Sequence, residues 1–93
     1  MKEIEVVQAI AFAVKEVEKE EGIFPKYTKE ETINCIYATI EQLINFNSSY
    51  LGICKQLIEY CKIAIEGKNV ILAQIFLNME KYIKETYLLG IEH

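Results

Sequence analysis

Three residue types are missing from this 93-residue chain, which contains no arginine, no aspartate and no tryptophan. All ten basic residues are therefore lysine, all fourteen acidic residues are glutamate, and the one histidine is His93. Neither a Ser–His–Asp triad nor an aspartate-based phosphoryl-transfer site with an arginine finger can be built from this chain alone. We therefore expect that the protein is not an enzyme.

The missing arginine also argues against a nucleic-acid partner. Contacts to phosphates and to guanine depend on arginine and lysine. Here glutamate outnumbers lysine, and the formal net charge is −4. We expect no binding to DNA or RNA.

Cysteine is scarce, and its spacing does not suit a metal. Cys35, Cys54 and Cys61 are odd in number and include no C-x-x-C pair. No histidine completes a tetrahedral zinc site, and the Glu-x-x-His motif of di-metal bundles is absent. Cys54 and Cys61 lie about 10 Å apart along a helix, too far for a disulfide. We predict no metal, no cofactor and cysteines that fill a core in a reducing compartment.

No stretch of the chain is apolar over the roughly 18 residues that a membrane-spanning helix needs. The longest candidate, residues 70–79, is interrupted by Gln74 and Asn78. Acidic residues among the first five argue against a secretory leader. We expect no membrane partner and a cytoplasmic location. The enrichment in isoleucine, glutamate and lysine is typical of thermophile proteins, and the biased composition equally fits a viral or plasmid-borne factor.

Apolar residues recur at steps of three and four in four segments, which is the pattern of amphipathic helices. Thr28 and Glu31 form a capping box, and Ser49 and Asn69 are natural N-caps. Gly67 is expected to end the third helix. The predicted helices cover residues 2–21, 28–46, 49–66 and 69–89.

The connections between these helices predict the topology. Helices two and three, and helices three and four, are separated by only a few residues, so each pair should be antiparallel. One longer loop surrounds Pro25, which forces Phe24 out of the helical conformation. We predict a single all-α domain over residues 1–93, folded as an up-down antiparallel four-helix bundle.

Other residues predict contacts within or between the helices. In helix three, Leu51, Ile58 and Ile65 flank the core stripe one heptad apart. In helix four, Glu80 and Lys84 have the spacing of an intrahelical ion pair, as do Lys81 and Glu85.

Four amides lie on apolar stretches and are expected to fix helix pairing: Gln8, Asn34, Gln74 and Asn78. Six tyrosines favour the bundle rim or an interface: Tyr27, Tyr37, Tyr50, Tyr60, Tyr82 and Tyr87.

Helices one and four carry more apolar residues than one stripe of about 100° can hold. A chain of this size buries only about 60–65% of its unfolded surface, and exposed apolar patches usually mark a partner. We therefore predict self-association, most simply a twofold homodimer through helices one and four. The candidate interface residues are Ile10, Phe12, Ala13, Ile71, Ile75, Phe76, Met79, Tyr82 and Ile83.

These features predict a small non-catalytic protein–protein interaction module, such as an adaptor, a chaperone-like protein or a regulatory accessory factor. Its partner is a second copy or an unknown protein. The alternative is a ligand-binding bundle with an apolar cavity of about 300 Å³ or more. That cavity would be lined by residues such as Phe76, Tyr50 and Met79. An enzyme and a nucleic-acid binder are disfavoured.

Overall fold

Four α-helices and one short π-helix form the described part of the chain. The structure is a computed structural model. It describes the backbone of residues 2–21, 26–46 and 49–89, and the side chains of these residues apart from 20, 21, 26–28 and 46. The elements are α1 (Glu3–Glu21), α2 (Lys26–Phe46), α3 (Tyr50–Glu66), α4 (Val70–Ile83) and the π-helix (Lys84–Leu88).

Both helices of the α3–α4 hairpin begin with the predicted N-cap. The Ser49 hydroxyl accepts a hydrogen bond from the Gly52 amide, and the Asn69 side chain accepts one from the Leu72 amide, each at 3.1 Å. The turn between the helices differs from expectation in one respect. The left-handed residue is Lys68, with φ 60°, whereas Gly67 has φ −81°. A side chain therefore occupies the position where glycine is usually found.

The second helix starts earlier than predicted. Because α2 begins at Lys26, Thr28 lies inside its first turn, and the predicted capping box with Glu31 does not mark the helix start. Neither Lys26 nor Tyr27 is a helix-breaking residue, so the helix can extend back past the predicted capping box. The loop around Pro25 itself lies outside the described residues.

The fourth helix changes geometry near its end. Its α-helical part stops at Ile83, and the following turn is a π-helix closed by the bond from the Leu89 amide to the Lys84 carbonyl (3.0 Å). Neither Glu80 with Lys84 nor Lys81 with Glu85 is among the ion pairs of the described residues. The wider π turn displaces side chains from the i, i+4 alignment that such pairs need.

The helices pack as an up-down antiparallel bundle, as predicted, with extents of 39 × 25 × 25 Å. The most extensive contacts join α4 to α3 on one side and to α1 on the other, while α2 packs against α1. The start of α3 meets the end of the π-helix, where Tyr50 and Tyr87 stack. Lys29, near the start of α2, pairs with Glu18, near the end of α1.

The core is entirely apolar among the described residues, and no polar side chain there is fully buried. It draws most from α1, α3 and α4 and least from α2, which contributes only Ile36, Ile40 and Leu43. The remaining core side chains are Val6, Ala9, Ile10, Ala13, Val14, Val17, Ile53, Cys54, Leu57, Cys61, Ala64, Ala73, Ile75, Phe76, Met79 and Ile83.

Candidate functional site

Most of the predicted interface residues lie inside the chain's own core. Six of the nine have an exposed fraction of 5% or less. The reason is the position of α4 between α1 and α3, because two neighbouring helices cover more apolar surface than one stripe predicts. In this conformation these six cannot contact a second molecule directly. They are Ile10, Ala13, Ile75, Phe76, Met79 and Ile83.

The other three predicted interface residues lie on the outer side of α1 and α4, with Ile71 about 16 Å from Tyr82 along α4. Phe12 and Ile71 are each 36% exposed, and Tyr82 is half-buried. The rings of Phe12 and Tyr82 lie with centroids 5.0 Å apart. Only this part of the predicted surface is available to a partner, and the α1–α4 dimer itself stays a prediction.

The Phe12–Tyr82 pair is one end of an aromatic row. Tyr82 meets Tyr87 of the π-helix nearly at right angles (6.5 Å), and Tyr87 stacks on Tyr50 of α3 at 4.6 Å. The row therefore crosses α1, α4, the π-helix and α3. π-Helices are rare, occur mostly as single turns within α-helices and are frequent at functional sites. Here the π-helix presents Tyr87 to a ring that lies on another helix.

Glutamates of α1 bind the tyrosine hydroxyls near this end of the bundle. The Tyr50 hydroxyl donates to both carboxylate oxygens of Glu5 (2.8 and 3.1 Å), and the Tyr37 hydroxyl donates to Glu3. The Lys2 amide, at 2.7 Å, is the main cause that lowers the pKa of Glu5. The hydrogen bond to Glu5 raises the pKa of Tyr50. The carboxylate stays charged and the phenol stays protonated, so this pair fastens α1 to α3 and supplies no acid–base catalyst.

The prediction that side-chain amides fix the pairing of helices is confirmed for Asn78. Its side-chain nitrogen donates to the Ala13 carbonyl of α1 at 3.4 Å, and its oxygen accepts from Gln74 at 3.1 Å. This bond fixes α4 against α1 within one chain. Gln8 and Asn34, in contrast, are exposed.

A second apolar surface lies on the outer side of the α3–α4 hairpin. Leu51, Ile58 and Ile65 recur every seven residues along α3, and Val70 and Leu77 are seven apart on α4. Side chains seven residues apart share one helix face. Leu51 is 55% and Ile65 60% exposed.

One groove lies on this side of the hairpin, at the Leu51 end of α3. Leu51 and Ile58 border it from α3, while Lys84 and Leu88 border it from the opposite side, around a volume of about 120 Å³. Lys84 lies one heptad beyond Leu77, which places the α4 row on the same side of the hairpin. We call the surface formed by Leu51, Ile58, Ile65, Val70, Leu77 and Leu88 the hairpin face.

Lysines border the hairpin face. Lys55 and Lys62 follow Leu51 and Ile58 by four positions and therefore share their side of α3. Glu59 and Glu66 directly follow apolar residues of the row and are turned about 100° away from it. Lys81 and Lys84 lie beside the α4 row. Lys55, Lys81 and Lys84 form no ion pair with any residue of the described ranges. Lys62 pairs with Glu59 at 3.3 Å, but both side chains are mostly exposed, so the pair is weak.

Acidic residues are concentrated in the other half of the chain. Residues 1–48 contain nine glutamates and five lysines, whereas residues 49–93 contain five of each. The N-terminal half therefore has a net charge of −4 and the C-terminal half is neutral. Glu80 is the one acidic residue that borders the groove of the hairpin face.

The cysteines do not form a reactive site. Cys54 and Cys61 are buried and Cys35 is exposed, and all three are free thiols. Burial, together with the nearby Glu80, raises the pKa of the Cys54 thiol from 9.0 to about 11, against the smaller opposite effect of Lys84. A thiol that stays protonated at neutral pH is a poor nucleophile.

Residues suited to metal binding do not converge in the described part of the chain. No three histidine, cysteine or carboxylate side chains there lie close enough to hold a metal ion. Of the residues expected around a ligand cavity, Phe76 and Met79 are packed in the core and Tyr50 is bound to Glu5. A groove of about 360 Å³ lies elsewhere, between α1 and α2, and is open to solvent. None of the described helices is long and apolar enough to cross a membrane.

Comparisons with protein-family models, with curated proteins and with solved structures found no match to this chain. Arguments about function therefore depend on the geometry alone. Of the two surfaces, the heptad row of α3 is visible in the sequence. The bond between Tyr50 and Glu5, 45 residues apart, has no sequence signal.

Proposed function

We propose that this protein is a small non-catalytic protein–protein interaction module that binds its partner through the hairpin face. The observation that carries the proposal is the outward heptad row of α3, with Leu51 and Ile65 more than half exposed. A seven-residue apolar repeat is the spacing that a partner helix engages by knobs-into-holes packing. Packing of the chain's own core does not require an apolar repeat on the solvent-facing side of α3.

The chemistry of the described residues supports a binding role rather than catalysis. Near the aromatic row and the groove, the pKa of Glu5 is lowered and the pKa values of Tyr50 and of the Cys54 thiol are raised. Each shift moves the pKa of its group further from neutrality, where a general acid or base works best. We place the module in the cytoplasm, where free thiols persist.

Self-association through α1 and α4 is the second form of the proposal. Phe12, Ile71 and Tyr82 are its remaining contacts. A stable interface of standard size buries about 800 Å² per partner. Three partly exposed side chains supply only a fraction of that area, so we rank this dimer below binding at the hairpin face.

Photocrosslinking tests the proposed function. A benzophenone amino acid replaces Ile65 on the hairpin face or, as the control, Ile63. Ile63 lies on the same helix and is 62% exposed but points to a different side. In extract of the source cells we expect adducts of higher mass from position 65 only. Equal yields at the two positions would contradict the proposal.

Light scattering after gel filtration, across a tenfold range of concentration, tests self-association. We expect any dimer through α1 and α4 to dissociate in Phe12→Glu, whereas Leu51→Glu serves as the control outside that surface. A dimer that Leu51→Glu disrupts and Phe12→Glu does not would contradict the α1–α4 arrangement. A monomer at every concentration would contradict self-association altogether.

A further inference from the structure

We infer that the hairpin face receives an acidic amphipathic helix of a partner protein. The inference rests on the proposed function and specifies the chemistry of the partner at the same site. The shape of the groove, the charges at its edges and the repulsion between two copies all favour such a helix.

The shape of the groove suits one helix. α3 and α4 are antiparallel neighbours, and the groove between two packed helices accepts the ridge of a third. The apolar row from Leu51 to Ile65 spans 14 residues, or about 21 Å. A docked helix of about four turns would cover it and would present its own apolar residues at the same spacing.

The charges at the edges determine which helix fits. Lys55 and Lys62 border the α3 row, while Lys81 and Lys84 border the α4 row. Carboxylates on both flanks of a docked helix would face these ammonium groups, as the flanking positions of a coiled coil do. Glu80 is half-buried and borders the groove itself, where apolar residues of the partner would lie. The acidic residues of the partner therefore belong on its flanks and not on its apolar stripe.

A second copy of this chain fits the groove less well. A twofold pairing of hairpin faces would bring the lysine edges of both copies together, and like charges there repel. In the acidic half of a second copy most of the apolar stripe lies in its own core, where Val14 and Ile36 are buried. Its exposed residues Ile4 and Val7 span only about one helical turn, against about four turns for the row on α3. Charge complementarity therefore favours a helix from another protein.

Two synthetic helical peptides test the inference. Both carry leucine at the a and d positions of two heptads, and one has glutamate and the other lysine at e and g. Titration by fluorescence anisotropy at low salt should give a Kd about tenfold or more lower for the acidic peptide. The difference should shrink as salt is raised, because the lysines are exposed.

Charge-reversal variants locate the effect. In Lys55→Glu/Lys84→Glu we expect the preference for the acidic peptide to be lost or reversed. Lys15→Glu/Lys19→Glu changes the net charge equally on α1, away from the hairpin face, and should keep the preference. Circular dichroism checks that both variants are folded. Equal affinity of the wild type for the two peptides, or equal effects of the two double variants, would overturn the inference.

Failure of this inference is distinguishable from failure of the proposed function. If crosslinking at position 65 traps a partner while the acidic peptide has no advantage, the interaction module stands and the acidic helix is wrong. If neither crosslinking nor either peptide engages the hairpin face, both are wrong. A dimer that Leu51→Glu disrupts would identify a second copy as the occupant and would likewise overturn the acidic helix.

Discussion

The two helical hairpins of this bundle differ in charge, in how evenly their two helices share the core and in exposed surface. The α1–α2 half carries the net charge of −4 and contributes nine core residues, of which α2 supplies only three. The α3–α4 half is neutral and contributes ten core residues, two formed N-caps and an outward apolar face. Helices that are packed on one side and apolar on the other form a stable platform for a partner. The comparison predicts that the hairpin whose two helices share the core evenly also carries the proposed binding surface.

The largest expected effect is on stability, and its size should differ between the two hairpins. Leu57→Ala in α3 removes a fully buried side chain and should lower the free energy of unfolding by about 2–5 kcal/mol. Ile36→Ala in α2 is equally buried, but α2 packs mainly against α1, so its neighbours can close the cavity more easily. We expect a cost at the lower end of that range. Urea unfolding measures both, and equal costs would contradict the comparison.

The N-cap of α4 should have an effect of intermediate size. Asn69→Ala removes the acceptor of the Leu72 amide and should cost about 1 kcal/mol of unfolding free energy. Asn69→Ser or Asn69→Asp keeps an acceptor and should restore most of the loss. Thermal unfolding of the three variants checks this, and a loss in all three would show that the contact is not a cap.

The turn of the hairpin offers a smaller change in the opposite direction. Lys68→Gly removes the Cβ of a residue in the left-handed conformation and so relieves backbone strain. The substitution should stabilise the protein by about 0.5–1 kcal/mol. Gly67→Ala is its counterpart, since a new Cβ there would meet the nearest backbone oxygens at 3.6 and 3.7 Å, an ordinary contact distance. We expect it to be tolerated. A loss of stability in Lys68→Gly would contradict the turn geometry.

The smallest effect near neutral pH is that of Cys54. Its pKa is about 11 in the folded chain and 9.0 ordinarily, so the folded state keeps a proton that the unfolded state loses. The resulting stability is complete below pH 9 and is lost as pH rises from about 9 to about 11. The raised pKa values of Tyr37, Tyr50 and Tyr87 act in the same direction.

Two measurements check this pH dependence. Urea unfolding at pH 8, 10 and 11 should show a smaller alkaline loss in Cys54→Ala than in the wild type. Alkylation followed by mass spectrometry should modify exposed Cys35, on α2, well before buried Cys54 and Cys61. Simultaneous modification of all three thiols would indicate that the α3–α4 hairpin opens as readily as α2 moves.

Local sequence signals predicted the bundle well. The four helices, their antiparallel order and the caps at Ser49 and Asn69 follow from periodicity and capping chemistry. The π-helix could not be predicted in this way, because it is accompanied by stacking of Tyr87 on Tyr50, 37 positions earlier. Such a contact depends on tertiary packing and leaves no local pattern.

The candidate surface shows a different limit of sequence reasoning. A count of apolar residues correctly predicts that α4 carries more than one apolar stripe. It does not predict how many neighbouring helices cover these stripes. Because α4 lies between α1 and α3, Ile75 and Met79 are buried within the chain. No described helix packs on the outer side of the less apolar helix α3. The heptad row of Leu51, Ile58 and Ile65 therefore faces solvent there.

The most direct test of the account compares Ile65→Glu with Ile63→Glu. The two isoleucines lie two positions apart on α3, at 60% and 62% exposure, and point to different sides. We predict that both variants keep the wild-type stability within about 0.5 kcal/mol, and that only Ile65→Glu loses affinity for the acidic peptide. If both variants bind equally well, or both lose binding, the hairpin face is not the interaction surface.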